Sequence, residues 1–194
     1  MTQINKYNFT ESEIKSFVID ETNAQYLWIA FSLNDGVCNL KKVSAHKPDQ
    51  VYFSIDLSVT EIKKVISSGN YVYACFDDDS LICTRFSKTN PITSTVDFSI
   101  PAGITEAPVD MLVSGSYIYF LTPGNISGEN AKIVKFSLTG IFQETIDLAT
   151  VTNAKAFTMD ALEEEFWIIT YKTPSEYIRL YLASGDIWTY SVNT

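Results

Sequence analysis

Two stretches of this chain, SGNYVYACF at residues 68–76 and SGSYIYFLT at residues 114–122, are nearly the same nonapeptide. Self-similarity at a fixed spacing of about 20 to 50 residues marks repeat architectures, in which one supersecondary unit is copied along the chain. The spacing extends beyond these two. With the aromatic residue of the third strand position as a marker, YLWIAF, YVYACF, YIYFLT and EFWIIT align on Trp28, Tyr73, Tyr119 and Trp167, separated by 45, 46 and 48 residues. Nearly every position in these segments is β-branched, aromatic or otherwise apolar, without strict alternation, so both faces of each strand are expected to be buried.

The rest of the period fits four strands. Upstream of each marker strand lies an apolar segment: IKSFVID (14–20), IKKVISS (62–68), PVDMLVS (108–114) and AKAFTMD (154–160). Downstream lie CNLKKVS (38–44), LICTRFS (81–87), AKIVKFS (131–137) and YIRLYLA (177–183), where alternation is plainer. A more polar fourth segment follows: VYFSIDL (51–57), TVDFSIP (95–101), QETIDLA (143–149) and IWTYSV (187–192). Turn formers separate them, and the SG-N/S-Y sequence reads as the hairpin joining the first strand of a repeat to its second.

Four antiparallel strands per repeat, grading from apolar to polar, resemble the blades of a β-propeller. The resemblance covers nearly the whole chain and implies an all-β fold of one domain, with blades at about 14–57, 62–101, 108–149 and 154–192. No WD40, kelch or Asp-box signature refines it. The alternative is a set of meanders in a β-sandwich or β-solenoid; a sandwich would explain the strands but not the period. The N-terminal INKYNFTESEI lines up with YFSIDLSVTEI, so residues 4–10 read as an extra outer strand. An outer edge without a neighbour invites pairing with another chain, and an oligomer or larger assembly through terminal strands is the expectation.

Composition bounds the function. A chain of 194 residues, 46% hydrophobic, can bury roughly 70% of the surface its unfolded form exposes, which is enough for a compact core. The formal charge of −9, with the basic residues scattered, argues against nucleic acid, whose affinity comes from clustered Lys and Arg. No apolar run approaches the ~20 residues of a membrane helix, so no membrane insertion is expected. No secretory signal is visible, and the expectation is cytoplasmic synthesis with the three cysteines reduced. Cys75 and Cys83 flank one turn and can face one another across a hairpin.

No nucleophile elbow, phosphate-cradling glycine loop, His-Glu-x-x-His or paired Cys-x-x-Cys occurs, and no cofactor is implied. His46 sits in a loop with no second histidine to share a metal. Asp77, Asp78 and Asp79 are the densest carboxylates, but the glycine and distal Glu of a calcium loop are missing, so a solvated turn is expected. Asp20, Asp110 and Asp160 lie on or beside the first strands, where paired carboxylates would serve glycoside cleavage; their columns differ. The reading is therefore a non-enzymatic recognition or assembly module for a protein or glycan, with a carbohydrate-active enzyme as the alternative. Its contact surface is expected on the loops carrying Asp35, Asp77, Asp78, Asp79, Asn125, Glu129 and Glu176. The Asn, Ser, Thr and Tyr richness is similar to that of phage tail and fibre proteins, which suggests a virion component.

Overall fold

A computed structural model describes residues 13–32, 37–59, 61–78, 80–124, 129–160, 165–172, 175–181 and 187–191, with side chains as far as Thr170. The expected strand at 4–10 lies outside these residues. Among the described residues there are sixteen strands and no helix, and no helix is long and apolar enough to cross a membrane.

The strands form four sheets in chain order. Blade 1 is β1 (Glu13–Ile19), β2 (Tyr26–Ser32), β3 (Cys38–Ser44) and β4 (Val51–Leu57). Blade 2 is β5 (Glu61–Ser68), β6 (Tyr71–Asp77), β7 (Leu81–Ser87) and β8 (Thr95–Ser99). Blade 3 is β9 (Asp110–Ser114), β10 (Tyr117–Thr122), β11 (Ala131–Ser137) and β12 (Phe142–Leu148). Blade 4 is β13 (Ala154–Asp160), β14 (Glu165–Lys172), β15 (Ser175–Tyr181) and β16 (Ile187–Ser191). The chain divides into two compact units, Met1–Asp97 and Phe98–Thr194.

The repeated nonapeptides are successive hairpins. Ser68 pairs with Tyr71 around Gly69, and Ser114 with Tyr117 around Gly115. Both glycines have positive φ, 53° and 56°, at the first central position, as a type II′ turn requires; no atom lies where a Cβ would go, so conformation alone demands glycine. A second repeated device is absent from the sequence reading. The first strand of three blades carries a bulge that skips a lysine, between Ile14 and Ser16, Ile62 and Lys64, and Ala154 and Ala156. The bulge lets one residue slip out of register without turning the following residues to the opposite face.

Within the first unit, the sheet face carrying the marker Trp28, with Ala30, Leu40 and Cys38, packs on the opposite face of blade 2, which presents Val65, Ala74, Val72 and Phe76. The second unit repeats the arrangement: Tyr119, Leu121 and Ile133 of blade 3 pack on Phe157, Phe166 and Ile168 of blade 4. Phe98, Phe120 and Phe136 add a cluster of edge-on rings 5.6 to 6.0 Å apart in the second unit. Burial on both faces of the second strand holds for β2, β6 and β10. It fails in β14, where Trp167 and Ile169 are exposed and their neighbours Phe166, Ile168 and Thr170 buried. Of the four residues beside the markers, Val72, Ile118 and Phe166 are buried and Leu27 is half-buried.

Three marker aromatics stand opposite a cation on the third strand: Trp28 pairs with Lys42, Tyr73 with Arg85 and Tyr119 with Lys135. In each case the cation lies over the tyrosine two residues before the marker, at 4.4 Å for Lys42 on Tyr26, 4.1 Å for Arg85 on Tyr71 and 4.5 Å for Lys135 on Tyr117. Blade 4 breaks the pattern with Glu165 and Leu180 in those positions.

Candidate functional site

Two of the three carboxylates that the sequence places beside the first strands, Asp20 and Asp110, are structural. Asp20 is buried just after β1. Its Oδ1 accepts from Thr22 Oγ1 at 2.7 Å, Thr22 N at 3.1 Å and Lys88 Nζ at 2.9 Å. Its Oδ2 accepts from Trp28 Nε1 at 3.3 Å, with Lys42 Nζ at 3.8 Å. Burial pushes the carboxyl pKa up, but the Thr22 and Lys88 hydrogen bonds and the Lys88 charge outweigh it and hold the group at about 2. Lys88, also buried, donates a further bond to Gly69 O at 2.7 Å. This aspartate, charged at neutral pH, is a knot tying two blades, with its oxygens already engaged.

Asp110 has a similar duty in the second unit. Its Oδ1 accepts from Met111 N at 2.9 Å and its Oδ2 from Phe157 N at 3.0 Å. Asp160, at the end of β13, is exposed. Two of the three aspartates thus spend their lone pairs on the fold.

The loop acids are dispersed. Asp77 pairs with Lys63 at 3.0 Å, and Lys63 also holds Glu61 at 2.7 Å. Asp78 Oδ1 accepts from Ser80 N at 2.9 Å, Ser80 Oγ at 2.8 Å and Leu81 N at 3.1 Å. These bonds, led by that from the Ser80 backbone, lower its pKa and close the turn between β6 and β7. Glu129, in the second unit, is exposed and accepts from Thr105 Oγ1 at 3.4 Å. Glu176 lies in β15. Asp35, Asp79 and Asn125 lie outside the described residues. Among those described, no three His, Cys, Asp or Glu side chains converge as metal ligands do.

The thiols are buried, and none is in a disulfide. Cys75 and Cys83 are direct cross-strand partners, and burial together with the facing Cys75 raises the Cys83 pKa well above its usual value. Burial likewise raises that of Cys38. None has the electropositive, accessible setting of a nucleophilic cysteine.

What remains is apolar and exposed. On blade 4, Ala156, Phe157, Thr158, Trp167 and Ile169 line a groove of about 340 Å³, with Trp167 37% and Ile169 44% exposed. On blade 1, Phe17 is 67% and Ile19 55% exposed on β1. Loop-centred reasoning overlooked both faces.

No protein-family model and no curated protein sequence matches the chain. Solved structures do. The Cps50 (Swd1) β-propeller domain of Myceliophteria thermophila aligns with a TM-score of 0.63 at 11% identity, over 98% of this chain and 61% of that one. A chain of the nidogen/laminin complex aligns at 0.57 and 10% identity, over 91% and 79%. An auxiliary nutrient binding protein from Bacteroides thetaiotaomicron aligns at 0.62 and 9% identity, over 95% and 42%. The chain spans about six tenths of the Cps50 domain and less of the nutrient binding protein. With four antiparallel four-stranded sheets in chain order and these neighbours, the chain is a β-propeller repeat protein.

Proposed function

We propose that the chain is a non-enzymatic recognition and assembly module that meets a protein partner through the exposed face of its last blade. The observation that carries this reading is the groove at Trp167. An aromatic side chain over one-third exposed, with Ile169 beside it and Phe157 at the base, is the kind of anchor on which binding energy concentrates. Contiguous apolar surface of this sort marks contact sites on water-soluble folds. The internal use of Asp20 and Asp110 supports a binding role over hydrolysis. Of the similar folds, one is named as part of a protein complex and one as a nutrient binding protein.

The test is selection of peptides from a displayed random library on the purified chain, with a glycan array run in parallel. The expected result is apolar peptides whose binding falls roughly tenfold or more in Trp167→Asp, a variant that still unfolds cooperatively with only a small loss of stability. Glycan binding lost in the same variant would make the partner a saccharide stacked on Trp167. Turnover of a bound glycan would replace the module reading with the carbohydrate-active one. A phage tail or fibre setting for the module rests on amino-acid composition.

A further inference from the structure

Cys75 on β6 and Cys83 on β7 are direct partners across one hairpin of blade 2, and both are fully buried. The hydrogen-bond ladder sets how close they come. Lys88 N donates to Asn70 O at 3.0 Å, one step beyond the pair of Tyr71 with Ser87 in the same register. Hydrogen-bonded and non-hydrogen-bonded pairs alternate along an antiparallel ladder, so Tyr71 with Ser87, Tyr73 with Arg85 and Cys75 with Cys83 are all of the second kind. In such pairs the Cα atoms stand about 4.5 Å apart and the side chains approach most closely, while a disulfide spans Cα atoms roughly 4.4 to 6.8 Å apart. No strand has to move for a bond to form. Nor does packing ask for sulfur here. The same register position holds Ala30 with Leu40 in blade 1, Leu121 with Ile133 in blade 3 and Ile169 with Ile178 in blade 4. Hydrocarbon fills it in three blades, and blade 2 sets two thiols face to face. The third thiol, Cys38, stands across from Ser32 and Leu57.

We propose that Cys75 and Cys83 are a redox pair, which a low-molecular-weight disulfide such as oxidised glutathione closes into a cross-strand bond at the base of the β6–β7 turn. One thiol, as its thiolate, attacks a sulfur of the oxidant and expels one reduced thiol; the second attacks the mixed disulfide and expels the other. Two protons and two electrons leave the pair, and the oxidant becomes two thiols. The product is uncharged and suits a buried site. The attack itself needs a thiolate, which burial, the facing Cys75 and Asp97 hold back at Cys83 while the sheet is closed. Both cysteines lie two residues from the strand ends at Asp77 and Leu81, so opening of this hairpin end alone exposes them, and oxidation proceeds slowly, at the pace of that opening. Once made, the bond ties the base of the turn that carries Asp77 and Asp78, two of the acids expected to meet a partner.

The test is incubation of the reduced full chain in graded ratios of oxidised to reduced glutathione, followed by an acid quench, alkylation in denaturant and a count of modified cysteines by mass. Cys75 and Cys83 lie between Lys64 and Arg85, so one tryptic peptide carries both and is lighter by two hydrogens when the bond is present. The folded parent is expected to fall from three alkylated cysteines to one, faster in urea below the unfolding transition, and to recover all three with dithiothreitol. Refolding from urea in the same buffers reaches the same equilibrium from the other side. Cys38→Ala should behave like the parent, whereas Cys75→Ala and Cys83→Ala should keep both remaining thiols; either of these two suffices should the other fold poorly. Oxidation of the chain in high urea sets the reference, because a short loop closes there too. In its equilibrium with glutathione the bond should be favoured roughly tenfold or more in the folded chain over the unfolded one, with a matching rise in the melting temperature of the oxidised form. An equal or smaller equilibrium constant in the folded chain, a bond that includes Cys38, or oxidation found only as mixed disulfides or linked pairs of chains would each overturn the proposal.

Discussion

Val65 donates its backbone N–H to Ser16 Oγ at 3.0 Å, crossing from the first strand of blade 2 to the first strand of blade 1. Phe157 makes the same bond to Asp110 Oδ2, also at 3.0 Å, at the equivalent place in the second unit. The slip in register before Ser16 sets the hydroxyl where the neighbouring amide needs an acceptor. An N–H facing an adjacent blade has no strand partner on that side, and its desolvation would otherwise go uncompensated. Ser16→Ala is expected to cost about 1 kcal/mol and Asp110→Ala about 2 to 3 kcal/mol, because the second acceptor is charged. Asp110→Asn, which keeps an oxygen, should recover most of the loss in urea unfolding. Equal losses for Ala and Asn would show that the bond is not the source.

Asp20 makes the fold sensitive to acid. Its folded pKa, about 2, lies below the value of 3.8 usual for the group, so the unfolded chain binds its proton more readily. The stabilisation is fully present above pH 5, declines as pH falls through 4, and is gone below 2. It amounts to about 2 kcal/mol by proton linkage. Asp20→Asn should flatten that part of the stability profile. At pH 7 it should cost about 3 kcal/mol, since Lys88 would be left buried without its counter-charge. A variant with the parent's acid limb would assign the transition to other carboxylates.

Trp28 and Trp167 are the same residue at the same register, with different burial. Trp28→Ala is expected to cost about 3 to 5 kcal/mol, from lost transfer energy and the cavity left behind. Trp167→Ala, measured at dilutions where any association is absent, should cost under about 1 kcal/mol. Comparable losses would mean that Trp167 is covered within its own chain.

The three thiols should resist alkylation. Burial and raised pKa keep Cys38 and Cys83 protonated at neutral pH, and Cys75 is equally enclosed. A thiol assay is expected to find none reactive in the native protein and all three after denaturation. Fast modification of one cysteine in the native state would show an opening that exposes it.

The architecture was legible in the chain because the second strand of a blade must be apolar toward both neighbours, and that requirement recurs with each copy at Trp28, Tyr73, Tyr119 and Trp167. The hairpins were legible at Gly69 and Gly115, where a positive φ leaves few residues to choose from. The duties of the acids were not. Asp20 reads like a candidate catalyst until Lys88, sixty-eight positions later, arrives beside it, and Asp110 does so until Phe157 presents its amide. Periodicity reports which positions are apolar, a local property of each strand. Whether an apolar position is covered depends on what sheet packs against it, so the same residue type is core at Trp28 and surface at Trp167. Only the tertiary structure distinguishes them, because burial belongs to a pair of surfaces and the sequence writes each surface separately.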